Sequence, residues 1–422
     1  MLIISTSGHW TSISTGCSRK LVGLSLKRTS PLDVRVDMRR FQKDNWALDL
    51  LRLKIQNIRS LIVLRPRDAN DVTTAFPDFP RSMPNLQSLE ISNSGGSDWD
   101  QSVDPFSPFG SSACSLRCLT LDNILLYPSF LNLRTLTTLY LRDHDFYLHL
   151  DTLLDFLEEN HSLQRVTLWV SFVEPSLHIS QRRSPIRNQL QHLSISCRRV
   201  IQAQALITNI ALQRGAHLEI FCGLWDAGPN EILTGISTAH LSNLLSPTSI
   251  EYETHPRRIR LSGPNGRFSF GSPLLIIRNL FIEFPLLPLA NVREFHLIHR
   301  ETSGTSHLRP AIHHLSLFPN LETLAIECET RTSYLPTLSS DPSSPPSLTT
   351  LAFLNCDLSE DFMEELTQFA SDRKNTTSAR LHRVVIVDSD GKFPSPTSIK
   401  ALEKHVPIVD VRRGREPPTD LT

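Results

Sequence analysis

Apolar residues recur along this chain in short segments, at the first, fourth and sixth positions of each. The clearest segment holds Leu136, Leu139 and Leu141, and another of the same kind starts at Leu163. In a β-strand with this spacing two side chains point to one side, while the first leucine closes the turn before the strand. Between these segments, residues 150–160 place leucines at helical spacing and leave acidic side chains for solvent. The pattern predicts a strand, a helix and a second strand.

The same spacing occurs nine times along the chain. The first positions are Leu86, Leu116, Leu136, Leu163, Leu190, Val292, Leu321, Leu348 and Leu381. Within the two runs, successive first positions are separated by between 20 residues, after Leu116, and 33 residues, after Leu348. Leucine-rich repeats have a period of about 20–29 residues. The sequence therefore predicts an α/β fold, an irregular leucine-rich-repeat solenoid with a curved parallel sheet and helices on its convex side.

The interval between Leu190 and Val292 contains further elements. Residues 258–270 predict a β-hairpin, because Pro-Asn-Gly supplies a turn between two alternating arms. We interpret this hairpin as an insertion in the array. The pattern also predicts helices at 200–213 and 232–245, a strand at 217–222, and near the end a helix at 395–404 and a strand at 406–411.

Composition narrows the class of partner. The 422 residues include 43 basic and 43 acidic side chains, so the formal net charge is +0. A neutral chain has no electrostatic attraction for nucleic acid or an anionic membrane.

The seven cysteines are scattered, which favours reduced thiols over a disulfide framework. The chain start does not resemble a signal peptide, and the most apolar run, residues 274–290, is interrupted by charges and prolines. We expect a cytoplasmic or nuclear protein.

Motifs for catalysis or metal binding are mostly absent. Phosphate-binding loops, nucleophile elbows and zinc-protease motifs do not occur in the sequence. Five histidines crowd one stretch, namely His296, His299, His307, His313 and His314. No acid or thiol lies at ligand spacing from them, so we interpret them as surface residues and expect no metal and no cofactor. We expect a protein that is not an enzyme.

One enzymatic alternative is kept, a hydrolase with its site in residues 223–290. That stretch contains acids and histidines in no recognised arrangement, namely Asp226, Glu231, Glu251, Glu253, Glu283, His240 and His255. A cluster of these groups in one pocket would support it.

The candidate binding site comes from strand geometry. Residues between the apolar positions of each strand share the opposite, concave side of the sheet. On three adjacent strands these positions include Tyr140, Arg142, Arg165, Trp169 and His192. Tyrosine, tryptophan and arginine dominate binding hot spots, because they combine a large contact area with directed hydrogen bonds. We therefore predict that these five residues bind a protein partner, the alternative being that the aromatic rings pack against neighbouring strands or the hairpin.

A weaker candidate surface lies on the later strands. There the same side of the sheet carries Ile298, Leu354 and Val387. A row of exposed apolar residues indicates either a partner or a cover, and the hairpin or the C-terminal tail could be that cover.

Three segments of the chain resemble fungal F-box proteins with leucine-rich repeats. They are Trp-Thr-Ser-Ile at 10–13, Arg-Thr-Ser-Pro-Leu-Asp-Val at 28–34, and the unit at 150–168 in which a helix precedes Asn-x-Ser-Leu-x-x-Val. The resemblance extends over about residues 8–410. In that family the Trp-x-Ser-Ile segment follows the F-box, which we expect upstream of residue 8. The resemblance implies substrate recognition for an SCF-type ubiquitin ligase, whose adaptor would bind the F-box. A free-standing interaction scaffold without a link to ubiquitin is the alternative.

These interpretations divide the chain into five segments. They are 1–38 (the remnant of the linker after an F-box, with a first strand), 39–222 (N-terminal repeats), 223–290 (an irregular region with the hairpin), 291–411 (C-terminal repeats) and 412–422 (a disordered tail).

Overall fold

The structure is a computed structural model of the chain. It describes residues 2–6, 9–13, 32–37, 49, 53, 55–64, 83–93, 115–124, 133–148, 150–172, 186–187, 189–198, 200–223, 246–254, 257–264, 266–271, 289–299, 314–328, 345–356, 358–376, 380–388 and 394–413. The chain divides into two compact units. Unit 1 comprises Met1–Arg198 and Gln202–Gln213, and unit 2 comprises Arg199–Ile201 and Arg214–Thr422.

Unit 1 contains a mostly parallel sheet. Its strands are β1 (Leu2–Thr6), β2 (His9–Ile13), β3 (Leu32–Asp37), β4 (Ile58–Leu64), β5 (Ser88–Ser92), β6 (Cys118–Asp122), β7 (Thr138–Leu148), β8 (Arg165–Phe172) and β10 (His192–Cys197). They pair in the order β2–β1–β3–β4–β5–β6–β7–β8–β10, parallel from β3 onwards. β1 is antiparallel to β2 and β3, so the N-terminal hairpin lies along the edge of β3. A separate pair joins β9 (Ile186–Arg187) to β11 (Ile210–Ala211).

Unit 2 also consists of mostly parallel strands. Its strands are β12 (His217–Cys222), β13 (Ser249–Thr254), β14 (Arg257–Gly263), β15 (Gly266–Gly271), β16 (Glu294–His299), β17 (Thr323–Cys328), β18 (Thr350–Leu354), β19 (Arg383–Asp388) and β20 (Ile408–Arg413). They pair in the order β12–β15–β14–β13–β16–β17–β18–β19–β20. Only β14 is antiparallel to its neighbours.

The α-helices among the described residues are α1 (Leu150–Glu159), α2 (Val200–Ile207), α3 (Glu360–Thr376) and α4 (Pro396–Glu403).

The leucine spacing predicts the strands correctly. All nine predicted segments form strands, namely β5 to β8 and β10 in unit 1, and β16 to β19 in unit 2. Equivalent apolar positions pair with each other, since Leu119 lies opposite Leu139 and Leu139 lies opposite Val166. These three side chains are fully buried. Burial of each such side chain contributes about 1.5–3 kcal/mol, so the repeated spacing builds the core of each sheet.

One turn recurs before the strands. The N–H of Leu136 donates to the Leu133 carbonyl at 3.3 Å, and the N–H of Leu163 donates to the Asn160 carbonyl at 3.2 Å. The same bond precedes β5, β16, β17 and β18. In addition, the carbonyl of the residue before a strand accepts two N–H groups from the next segment, as at Thr137, Arg117, Gln164, Thr248, Arg293, Glu322 and Thr349. These bonds fix the register between neighbouring strands.

The helix α1 is amphipathic, as the sequence predicts. It buries Leu153, Leu154, Phe156 and Leu157. Asn160 follows its last turn, is fully buried, and donates from Nδ2 to the Phe156 carbonyl at 2.8 Å. A buried amide in this position satisfies a backbone carbonyl that the helix end leaves open.

The helices α3 and α4 pack together in unit 2. Buried Arg373 of α3 donates to the carbonyls of Pro345 and Leu348, at 3.2 and 3.1 Å, in the turn before β18. Ser395 caps α4, since its Oγ accepts the N–H of Ser398 at 3.2 Å. Ser398 in turn donates to Glu360 Oε2 of α3 at 2.7 Å.

The C-terminal predictions need one correction. The helix expected at 395–404 is confirmed as α4, but the last strand extends beyond the expected 406–411. Arg412 and Arg413, expected in a disordered tail, belong to β20, because they pair with Val387 and Asp388 of β19. Residues 414–422 and the helix expected at 232–245 lie outside the described residues.

The expected hairpin forms from β14 and β15, but it lies within the sheet of unit 2. The strand β13, which the sequence did not predict, pairs with β14 on one side and with β16 on the other. Gly263 ends β14 close to another segment, since a Cβ atom there would lie 2.4 Å from the Ser246 carbonyl oxygen.

No helix among the described residues has the length and apolar character needed to cross a membrane.

Candidate protein-binding surface

Unit 1 presents the predicted polar and aromatic positions on one face of its sheet. Tyr140 of β7 lies opposite Thr167 of β8, and Arg142 lies opposite Trp169. One strand further, Arg165 lies opposite His192 of β10. We call this side of β5 to β8 and β10 the polar face, because the leucines of the same strands point to the other side.

Three of the five predicted site residues form one cluster. The guanidinium carbon of Arg142 lies 5.0 Å from the centroid of the Trp169 ring. The Tyr140 and Trp169 ring centroids are 6.3 Å apart and tilted by 46°. Trp169 is 42% exposed, which is unusual for so large an apolar ring. A cation over an aromatic face is attracted by the ring quadrupole, so Arg142 and Trp169 hold each other in place.

Polar neighbours hold the other side of Arg142. Its Nε lies 3.9 Å from Asp122 Oδ1, and Asp122 Oδ2 accepts a hydrogen bond from Ser92 Oγ at 2.9 Å. The Nε atom is buried and makes no hydrogen bond to the residues described, because 3.9 Å exceeds hydrogen-bonding range. A line of contacts from Ser92 to Trp169 therefore crosses β5, β6, β7 and β8 and orders the arginine before any partner binds.

Acidic groups border this cluster. Burial raises the pKa of Glu90 on β5 above its ordinary value, Arg35 of β3 opposes the shift, and Asp122 adds to it. Glu90 and Asp122 are close neighbours, because Glu90 pairs with Thr120, two residues before Asp122. The polar face thus combines aromatic, cationic and anionic groups within a few strands.

The other two predicted residues lie elsewhere on the same face. Arg165 is four residues before Trp169 on β8, which corresponds to about 13 Å along a strand. Arg165 pairs with His192 on one side and with Thr138, two residues before Tyr140, on the other. Sequence reasoning placed Ser92 and Asp122 on this face as well, but alternation alone did not show that they contact Arg142.

Unit 2 carries charged residues on the corresponding positions of β12 to β17. Arg260 of β14 forms ion pairs with Glu251 and, at 3.4 Å, with Glu253, both on β13. Arg258 lies 3.8 Å from Glu219, and His296 lies 3.8 Å from Glu327. We call these seven residues the charged seam. The sequence did not reveal it, because β13 was not predicted.

Of these histidines His299 is buried and His296 is half-buried, contrary to their interpretation as surface residues. His296 is part of the charged seam, where burial and the charge of Arg260 lower its pKa to about 4. His299 is 1% exposed, and its Nδ1 lies 3.0 Å from Thr254 Oγ1. Because they are three residues apart on β16, they point to opposite faces of the sheet, and His299 shares its face with buried Phe295 and Leu297. No cluster of three or more metal-ligating side chains occurs among the residues described.

The apolar row on the later strands is core rather than surface. Ile298, Leu354 and Val387 are 6%, 3% and 3% exposed, respectively. Leu354 and Val387 join Ala325, Ala352 and Val385 in one buried cluster. The expectation of an exposed patch on β16, β18 and β19 is therefore wrong.

The residues of the enzymatic alternative are only partly described. Asp226, Glu231, Glu283, His240 and His255 lie outside the described residues. Glu251 and Glu253 are engaged by Arg260. An arginine therefore occupies both carboxylates, which does not favour a role as catalytic bases.

The chain was also compared with known proteins. No family model matches it, and no curated protein matches it.

Proposed function

We propose that this chain is a protein-binding module of the leucine-rich-repeat class. We further propose that the polar face of unit 1 is its binding surface. The observation that carries this proposal is the cluster of Tyr140, Arg142 and Trp169, in which an exposed tryptophan lies beside a prearranged arginine. Aromatic rings and arginines in such an arrangement supply most of the binding energy at protein interfaces.

The architecture supports the repeat assignment. Parallel strands follow one another in a constant register, and the same turn precedes six of them. Stacked units of this kind bury a continuous core and leave a broad row of strand positions for recognition. A partner would lay its own surface across β6, β7 and β8, with Trp169 entering a recess and the exposed part of the Arg142 guanidinium donating to a carbonyl or carboxylate oxygen.

The more specific proposal is that the module recognises substrates for an SCF-type ubiquitin ligase. It rests on the resemblance of residues 10–13, 28–34 and 150–168 to fungal F-box proteins. Expression of the chain with the residues encoded upstream of it should recover the ligase adaptor. A full-length product without an F-box that also fails to bind the adaptor would leave the free-standing scaffold as the better description.

The binding surface is tested by quantitative affinity capture of the chain and two variants. We expect Tyr140→Ala with Trp169→Ala to lose, by about tenfold or more, the proteins that the unaltered chain enriches, because one hot-spot side chain contributes about 2 kcal/mol or more. Ile201→Ala is the matched control, since Ile201 is 47% exposed and belongs to the helix α2 and not to the strands of the polar face. Equal loss in both variants would contradict a specific role for the cluster.

A further inference from the structure

A cleft in unit 2 has a lining rich in charged side chains. It has a volume of about 360 Å³ and lies where the end of α3, the approach to β19 and the end of α4 meet. Its polar lining consists of Lys374, Arg380, His382, Glu403, Lys404 and His405. We call it the basic cleft. Pockets for small ligands have volumes of about 300–1,000 Å³, so the basic cleft suits a compact molecule.

The charge of the basic cleft is strongly unbalanced. Three permanent cations, Lys374, Arg380 and Lys404, face one carboxylate, Glu403, while the chain as a whole has a net charge of +0. Cations of one sign in a concave space attract anions, because the low-dielectric walls concentrate their field.

Helix ends account for two of these cations, because Lys374 lies in the last turn of α3 and Lys404 is the C-cap residue of α4. The C-terminal ends of helices favour nearby positive charge, and Lys374 serves this role, since its Nζ donates to the Lys404 carbonyl at 3.2 Å. The Arg380 guanidinium and the Lys404 ammonium form no ion pair or hydrogen bond with any residue in the described part of the chain. The end of α4 therefore explains the position of Lys404, but no helix end explains that of Arg380.

His405 supplies an independent observation. Its Nδ1 atom is buried and has no hydrogen-bond partner among the residues described, while its backbone N–H donates to the Leu402 carbonyl at 2.9 Å. A buried polar atom without a partner is costly, and ligand-binding sites are where such atoms are retained. His405 also lines the cleft, so its imidazole ring lies beside any anion that binds there.

We propose that the basic cleft binds a small anion with at least two phosphate groups. Lysine and arginine pair with phosphate oxygens through charge-assisted hydrogen bonds, and three cations match the charge of a di- or triphosphate better than that of a single carboxylate. The phosphate groups can belong to a free molecule or to a lipid headgroup. The proposal does not depend on the protein-binding role of unit 1.

The test is calorimetric titration of the full chain with tripolyphosphate. We expect saturable binding of one ligand per chain, weakened about tenfold or more by Arg380→Ala combined with Lys404→Ala, and weakened further by added salt. Lys400→Ala is the control, because it removes one positive charge from the exposed side of α4 and leaves the lining of the basic cleft unchanged. Thermal unfolding of each variant shows whether its fold is retained.

Two results would overturn the proposal. One is the absence of saturable binding by the folded chain, and the other is equal weakening by Lys400→Ala and by the double variant.

A parallel arm uses phosphatidylcholine vesicles with and without phosphatidylinositol bisphosphate. Tripolyphosphate binding that persists without vesicle binding assigns the site to free phosphate compounds. Competition between the vesicles and tripolyphosphate assigns it to headgroups, and vesicle binding that the double variant retains excludes the basic cleft as the lipid site.

Discussion

Arg142 and Arg260 both lie on strands, but their neighbours leave them with different capacities to form hydrogen bonds with a partner. Arg260 forms ion pairs with Glu251 and Glu253, and Glu253 is only 7% exposed. Arg142 lies over Trp169 with a single carboxylate 3.9 Å from its Nε. The charge of Arg260 is therefore neutralised within unit 2, whereas Arg142 keeps hydrogen-bonding capacity for a partner. This difference is why the polar face of unit 1, and not the charged seam, is proposed as the binding surface.

The charged seam makes unit 2 sensitive to acid at His296. Burial and Arg260 hold its pKa at about 4, compared with 6.5 for an unperturbed histidine, despite Glu327 at 3.8 Å. Between these values the unfolded chain binds a proton that the folded chain excludes, so stability is complete above pH 6.5 and falls as the pH approaches 4. We predict a loss of up to about 3 kcal/mol at this residue.

The measurement is chemical denaturation at several pH values for the unaltered chain and His296→Gln. The variant retains a polar side chain that does not titrate, so its unfolding free energy should change less across this interval. Identical pH profiles for the two proteins would show that His296 is protonated equally in both states.

At the scale of elements, the helix α3 is attached to the sheet through a buried charge. Arg373 is 4% exposed and donates to two carbonyls in the turn before β18. Burial lowers its pKa from the ordinary value, but the hydrogen bonds retain the guanidinium in place. We predict that Arg373→Met costs about 2–4 kcal/mol of unfolding free energy, because the carbonyls of Pro345 and Leu348 lose this donor.

The control for that change is Lys400→Met, which removes a cation from the exposed surface of α4. A surface charge of this kind contributes less than about 1 kcal/mol. Equal effects on the midpoint of denaturation would contradict an anchoring role for Arg373.

The β14–β15 hairpin depends on a close backbone approach at Gly263. A methyl group there would meet the Ser246 carbonyl oxygen at 2.4 Å, and the main chain on that side cannot move without disturbing the turn before β13. We predict that Gly263→Ala lowers the unfolding free energy by about 1–3 kcal/mol.

Gly215→Ala gives a useful comparison for Gly263→Ala, since a Cβ there meets nothing within 4 Å but the backbone has a φ of +87°. Its cost should be conformational, about 1 kcal/mol. Thermal unfolding of both variants measures the difference, and a neutral Gly263→Ala would mean that the two segments lie further apart.

For the whole molecule, the sequence predicts the repeated strands, but it does not predict the side-chain contacts between neighbouring strands. The leucine positions define nine strands and their parallel register, because each buried side chain must meet its counterpart on the next strand. The strand β13 escaped prediction although Ile250 and Tyr252 alternate with acids, since it lacks a leucine at the first position. The contacts of Glu251 with Arg260 follow from an antiparallel pairing that this spacing does not encode.

For the candidate site, the sequence likewise predicted which residues share one face, but not which of them contact each other. Alternation placed Tyr140, Arg142 and Trp169 on one face, because strand geometry fixes that side. The role of Asp122 and Ser92 in holding Arg142 depends on side-chain rotamers, which the spacing does not determine. The same limit explains the error at Ile298, Leu354 and Val387, since the burial of a strand face depends on what covers it.

The most direct test of the central claim is photo-crosslinking from the polar face. A photoreactive amino acid is placed at Thr167, which lies opposite Tyr140 and two residues before Trp169, and in a second protein at Asp155 on the exposed side of α1. We predict discrete protein adducts from Thr167 that are absent from Asp155 and are lost when Trp169→Ala is added. Equal adducts from both positions, or adducts from Thr167 that persist without Trp169, would contradict the account.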